Sequence, residues 1–206
     1  MEIMNQLENL KLFAQKRTKK NDPAHDFEHI MRVYHNAERI CKSENGNKKL
    51  ILTSVLLHDI IKSPNQKDSA LKSAKLSKKI LKNYSFSNDE ITIIYDAIKE
   101  HSFSKGKTPS TIEGKILQDA DRLDAIGAIG LARVFSFSGS NNRPFYDPQD
   151  PFSKNRQPND NKWAFDHFFK KLLLLEGKMN TKTGKILAKQ RTKILKNFLK
   201  EIKNEL

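Results

Sequence analysis

The chain has 206 residues, 37% of them hydrophobic and 30% charged, with one cysteine and a formal net charge of +14. Its length suits a single domain with a sizeable core; the lone Cys41 excludes an internal disulfide, no apolar run reaches the roughly 18 residues of a membrane span, and residues 1–20 are too polar for a signal peptide, so a cytoplasmic protein is expected. The charge comes from 30 Lys and only 8 Arg beside 17 Asn, a chain-wide bias that argues against a dedicated nucleic-acid surface, where the two-pronged guanidinium is the favoured reader of phosphate.

Apolar residues recur at three and four positions almost throughout and strand signals are scarce, which predicts an all-α domain over 1–206. An amphipathic segment covers Met4 to Gln15, a turn follows at Asn21-Asp22-Pro23, and a helix is expected from Ala24 to Lys42, closed off by Gly46. A very apolar helix is expected from Lys49 to Lys62, stopped by Pro64. Further helices are expected over Ser69–Leu81 and Ile91–His101, the second with a capped start at Ser87-Asn88-Asp89-Glu90. After a loop at Lys105–Ser110, one long helix is expected over Thr111–Phe135, whose small residues Ala120, Ala125, Gly127, Ala128 and Gly130 permit close packing.

Between Gly139 and Asp160 the periodicity stops, and four of the seven prolines fall there. A loop of this length is either a substrate-covering lid or an ordered wrap held by aromatic anchors. Two helices, over Lys162–Leu175 and Thr183–Lys203, are expected to complete the chain.

The strongest chemical signal is His58-Asp59 inside Ser-Val-Leu-Leu-His-Asp-Ile-Ile-Lys. An imidazole and a carboxylate embedded in so apolar a stretch need a hydrogen-bond partner or a cation. Adjacent helical residues diverge by about 100°, so other ligands to a common metal must come from elsewhere. His29 is one candidate, and Gln118-Asp119-Ala120-Asp121-Arg122-Leu123-Asp124 offers three carboxylates, of which Asp121 and Asp124 share a helix face while Asp119 points away. Imidazoles mixed with carboxylates suit Mn²⁺, Fe²⁺, Co²⁺, Ni²⁺ or Zn²⁺, and the lack of thiolates argues against a structural zinc site. His25 lies four before His29, on the same helical face; His35 and His167 are expected to be structural. The sequence lacks the glycine-rich phosphate-binding loops of nucleotide folds and the Gly-x-Ser-x-Gly elbow.

The ordered set His29, His58-Asp59 and Asp121 resembles the H…HD…D signature of the HD-domain metal-dependent phosphohydrolase superfamily. The segments His-Asp-Phe-Glu-His-Ile-Met-Arg-Val at 25–33, Ala-Ile-Lys-Glu-His-Ser-Phe-Ser at 97–104 and the run 118–135 are similar to the small bacterial HD hydrolases that include a nucleotide pyrophosphohydrolase. The resemblance spans about residues 22–200. It implies a compact helical bundle with a motif core at 22–135, to which the residue pattern adds a lid-like loop at 139–160 and C-terminal helices within 162–205. It also implies one divalent ion, Mn²⁺ foremost with Fe²⁺, Co²⁺, Ni²⁺, Zn²⁺ or Mg²⁺ as alternatives, held by His29, His58, Asp59 and Asp121. The implied reaction is hydrolysis of a nucleoside triphosphate to monophosphate and pyrophosphate by a metal-activated water.

Asp124 competes with Asp121 for the metal and is otherwise expected to orient a ligand or activate water. The resemblance moves His101 into the active-site cleft, to bind phosphate or donate a proton, and His25 is expected to flank the metal, contact substrate or cap its helix. Lys62, four after His58, is expected to hold a phosphate; several HD branches carry a Glu there as the presumed water activator, and this sequence departs from them. Arg32, Arg122 and Arg133 are the guanidiniums expected near the site. The partner expected is a small phosphorylated substrate, a nucleotide, with no membrane, and a homodimer is left open. Rival readings are a phosphodiesterase or alarmone hydrolase of the same superfamily, and a basic nucleic-acid-binding or regulatory module with a vestigial site. The second is suggested by residues 160–206, which carry 12 Lys plus Arg against 5 Asp plus Glu.

Overall fold

The computed structural model of the chain describes residues 2–19, 26–61, 68–102 and 106–206. The expected turn at 21–23, Pro64 and two of the expected site residues, His25 and Lys62, lie outside the described residues. Nine α-helices and no strand are present among the described residues, as the apolar periodicity predicts. No helix among them is long and apolar enough to cross a membrane. The chain divides into two compact units, Met1–Asp121 and Arg122–Leu206.

The first unit contains α1 (Glu2–Thr18), α2 (Phe27–Cys41), α3 (Lys48–Leu57), α4 (Ser69–Leu81), α5 (Asn88–Glu100) and most of α6 (Ile112–Asp124). Helix α3 is its centre, packed against α1, α2 and α5. Every residue from Leu50 to Leu57 is buried, because Leu-Ile-Leu-Thr-Ser-Val-Leu-Leu is non-ionic all round, and a helix without a charged face has to be enclosed. Of its two hydroxyls, Ser54 Oγ returns its hydrogen to the Leu50 carbonyl at 2.8 Å, whereas Thr53 Oγ1 is buried without a hydrogen-bond partner.

Around α3 the neighbours are amphipathic. Helix α2 buries Ile30, Val33, Ala37 and Ile40 along one stripe, and its first turn is closed by Asp26, whose carboxylate accepts the His29 N–H at 2.9 Å. Helix α5 begins with the full capping box read from the sequence, Ser87 and Glu90 each accepting the other's backbone N–H.

The second unit contains the end of α6, then α7 (Gly127–Ser140), α8 (Asp166–Lys170) and α9 (Lys182–Glu205). The continuous helix expected over 111–135 is instead two helices. Ile126 is extended and Gly127 adopts φ +80°, a left-handed conformation that glycine enters at little cost, so the small-residue run that suggested close packing is where the chain turns. The helix expected over 162–175 also shortens to α8, followed by 3₁₀ turns at Leu172–Leu174 and Glu176–Lys178. Leu172 and Leu175 are both buried, and a three-residue spacing places them on one side of a 3₁₀ turn.

The proline-bearing segment is closed onto its own unit. Phe165 N–H donates to the Phe145 carbonyl at 2.8 Å and Ala164 N–H to the Pro144 carbonyl at 3.0 Å. Asp166 is the polar hub, receiving Ser153 Oγ, two nitrogens of Arg156 and the Asn159 N–H. Around it Phe145 and Phe165 meet Phe135, Tyr146 and Phe152 lie against Phe165, and Phe168 stacks on Phe198 at 6.0 Å.

Candidate metal centre

The helix expected to continue to Lys62 ends at Leu57. His58 is its C-cap, with its N–H reaching back three residues to the Val55 carbonyl at 3.4 Å, and Asp59 follows in the turn. His58 keeps right-handed helical dihedrals (φ −66°, ψ −35°), so the two side chains still diverge by about 100° and the remaining ligands must come from other elements.

Three other elements of the first unit meet this turn. His29 comes from the first turn of α2, Asp121 from α6, and His101 is the C-cap of α5. His29 Nε2 lies 3.6 Å from Asp121 Oδ1 and 3.9 Å from Asp59 Oδ2. The ring of His58 is 5.4 Å from that of His29 and 5.0 Å from that of His101, centre to centre. Two overlapping sets result: His29, His58 and Asp121 offer ligand atoms within 4.8 Å of one another, and so do His58, Asp59 and His101.

This arrangement fits a divalent cation. A carbonyl can only accept, so the 2.7 Å contact from His58 Nδ1 to the Val55 carbonyl makes Nδ1 the protonated nitrogen and leaves the lone pair on Nε2. That Nε2 is buried and has no hydrogen-bond partner, the state expected of an atom reserved for an ion. Separations of 3.6 and 3.9 Å are too long for hydrogen bonds. They lie between the roughly 3 and 4.2 Å that separate neighbouring and opposite ligands each about 2.1 Å from one ion.

Protonation agrees with this reading. Burial lowers the His58 pKa to about 4, with help from His101 and His29 and against Asp59 and Asp121, so the ring is neutral, the form that binds metals. Burial pushes the Asp121 carboxyl up, but His29, His58 and His101 together hold it below its ordinary value. The carboxylates of Asp59 and Asp121 beside the neutral His58 ring supply negative charge that a cation would offset.

The remaining expected residues are placed as follows. His101 is 5% exposed and turns Nδ1 to the Ile98 carbonyl at 2.6 Å, so it too keeps its lone pair on Nε2. Asp124 lies in the second unit, where its carboxylate pairs with Arg133 at 2.5 Å. Arg122 donates to the Lys178 carbonyl. Arg32 is half-buried on α2, three residues after His29. Asp119 is fully buried and stands outside both ligand sets. His35 is exposed beside Glu38, and His167 pairs with Asp160 at 3.0 Å.

Sequence reasoning missed three buried neutral side chains that hold the backbone beside these residues. Asn36 Nδ2 donates to the Ala120 carbonyl at 3.1 Å, Gln118 Nε2 to those of Glu100 and Lys107 at 3.3 and 3.0 Å, and Ser73 Oγ accepts the Ile61 N–H at 3.1 Å. The one available signal was a polar residue on an otherwise apolar stripe, Asn36 lying seven after His29.

A family model for the HD domain matches residues 26–126. The chain is 30% identical over 210 residues to the uncharacterized protein YpgQ of Bacillus subtilis, covering all of this chain and 96% of YpgQ. The crystal structure of YpgQ in complex with ADP superimposes with a TM-score of 0.81 at 30% identity, over 100% of this chain and 97% of that one. An HD-superfamily hydrolase from Bacillus thuringiensis gives a TM-score of 0.78 at 31% identity over 98% and 97%. A predicted HD-superfamily hydrolase from an uncultured Thermotogales bacterium gives 0.68 at 28% over 96% and 91%. With its helical fold and its convergent His and Asp residues, the chain belongs to the HD domain family and is an HD-superfamily hydrolase.

Proposed function

We propose that the protein hydrolyses nucleoside triphosphates to monophosphate and pyrophosphate, with Mn²⁺ as its first-choice cation and His29, His58, Asp59 and Asp121 as the protein ligands. The observation that carries this reading is the buried, unpartnered Nε2 of His58 at the junction of the two ligand sets. The nucleotide is supported by the ADP bound in the YpgQ structure. A divalent ion held there supplies a water of lowered pKa and charge stabilisation at the phosphoryl oxygens.

The chain's own groups have separable tasks. His58 and His29 act as neutral donors, and Asp59 and Asp121 provide the charge that retains a dication. His101, with Nδ1–H committed to the Ile98 carbonyl, presents an accepting Nε2 that takes the proton of the attacking water. Water adds to the α-phosphorus, the bond from that phosphorus to the β-bridging oxygen breaks, and pyrophosphate leaves.

The test is turnover of a nucleotide panel with Mn²⁺, quantifying monophosphate and pyrophosphate. Equal yields of the two are expected. Release of orthophosphate alone, or undiminished turnover by His58→Ala, overturns the assignment. The second ligand set, His58, Asp59 and His101, favours one rival, a two-metal phosphodiesterase. Two bound metals per chain, with cleavage of a phosphodiester, would select it.

A further inference from the structure

We propose that Gln118 and Asn36 are positioning residues of the metal centre, two buried carboxamides through which α6 fixes Asp121 relative to the histidines. This rests on the metal-centre reading above and extends it to residues that touch none of the reacting groups.

Asp121 is on α6, His29 on α2 and His101 at the end of α5, so the centre exists only if these elements keep their register. Ridge-and-groove packing of aliphatic side chains tolerates small slides, whereas a hydrogen bond to a defined backbone carbonyl does not. Each helix pair has one such bond at the residue next to a site residue. Asn36 on α2 donates to the carbonyl of Ala120, immediately before Asp121. Gln118 on α6, three residues before Asp121, donates to the carbonyl of Glu100, immediately before His101.

Gln118 uses the same amide nitrogen for a second carbonyl, that of Lys107. Both contacts therefore draw on its two N–H donors, which a carboxylate of identical shape lacks. Gln118 is fully buried and Asn36 is 4% exposed, so neither bond is diluted by water. Because both side chains are neutral, they fix ligand positions without adding to the charge of the centre.

The test measures Mn²⁺ binding by calorimetry and the electron paramagnetic resonance spectrum of bound Mn²⁺ in the full chain. The variants are Asn36→Asp, Gln118→Glu and Gln118→Met. Thr18→Ala, which removes a buried hydroxyl-to-carbonyl bond on α1, is the control for a purely structural loss. Outer-sphere support of a metal site is worth roughly 10–100-fold in affinity, so a loss in that range is expected in the three variants, with an altered spectrum. Thr18→Ala is expected to lower thermal stability and leave both readouts unchanged. Gln118→Met keeps the side-chain volume, and if Gln118→Glu does not fold the decision rests on Gln118→Met and Asn36→Asp.

Binding within twofold of the unaltered protein in variants that have lost stability overturns the positioning role. If the unaltered protein itself binds no Mn²⁺, the metal-centre reading has failed instead, and the two failures are distinguished by that one measurement.

Discussion

His58 and His101 stand on different helices and are held in the same way. Each is the residue after the last turn of its helix, and each directs Nδ1 to the carbonyl three residues earlier, Val55 at 2.7 Å and Ile98 at 2.6 Å. Their rings meet edge to face at 5.0 Å and 85°. The two helices thus end on one point, and their C-terminal carbonyls place partial negative charge around it, an environment favourable to a cation.

Metal binding should stabilise the fold, because the unfolded chain has no assembled site. At 100 times Kd the linkage is about 2.7 kcal/mol, which corresponds to a Tm rise of roughly 5–10 °C for a chain of this size. Differential scanning fluorimetry with and without Mn²⁺ checks this. His58→Ala and Asp59→Ala should erase the rise and lower kcat/KM by more than about 100-fold, beyond what loss of an outer-sphere partner costs. A full Tm rise in His58→Ala would remove it from the ligand set.

His101 separates binding from chemistry. The first ligand set, His29, His58 and Asp121, is complete without it. His101→Ala should therefore keep Mn²⁺ affinity within a few-fold while kcat falls by about 10² or more, the range for a lost general base. Calorimetry beside steady-state kinetics reads both quantities. A parallel collapse of affinity and kcat would make His101 a metal ligand and favour the two-metal rival.

The sequence discloses some of this site and hides the rest for definable reasons. His58 and Asp59 are legible because an imidazole and a carboxylate embedded in an apolar stretch have few explanations. Their geometry was not, since nothing local announces that α3 stops at Leu57, leaving His58 as its cap and Asp59 in the turn. Asn36 and Gln118 were illegible because a carboxamide acquires its role from a carbonyl on another element, 84 residues away for Asn36. The break after α6 was misread because Ala125, Gly127, Ala128 and Gly130 suit a tightly packed helix as well as a turn.

Two glycines at that break should respond differently to alanine. A Cβ at Gly127 would lie 3.1 Å from Cβ and Cγ of Arg191, and its φ of +80° would strain any side chain. Gly127→Ala should cost about 1–2 kcal/mol. A Cβ at Gly130 would lie 2.2 Å from the Ala125 carbonyl oxygen, a backbone atom that cannot rotate away. Gly130→Ala should cost about 3 kcal/mol or more through overpacking. Urea midpoints give the order, and a Gly130→Ala variant as stable as Gly127→Ala would contradict the close approach.

Asp166 supplies a pH-dependence independent of the metal. Burial pushes its carboxyl up, but Arg156, the Asn159 N–H and Ser153 together hold it below the usual carboxylate range. Its side chain is fully buried, while Arg156 is 23% exposed and also pairs with Asp147 at 3.2 Å, so Asp166→Asn leaves Arg156 one carboxylate and removes the buried charge that the other donors address. Asp166→Asn should destabilise by about 2 kcal/mol at pH 7, within the range for lost hydrogen bonds to a charged group. A depressed folded-state pKa means the contribution is fully present above the unfolded value of about 3.9 and disappears as pH falls through the folded one. The stability gap between unaltered and Asp166→Asn protein should therefore be constant from pH 7 to about pH 5 and close below pH 4. Urea titrations across that range measure it, and a gap that widens on acidification would show that Asp166 is held neutral in the folded state, contrary to the four donors it accepts from.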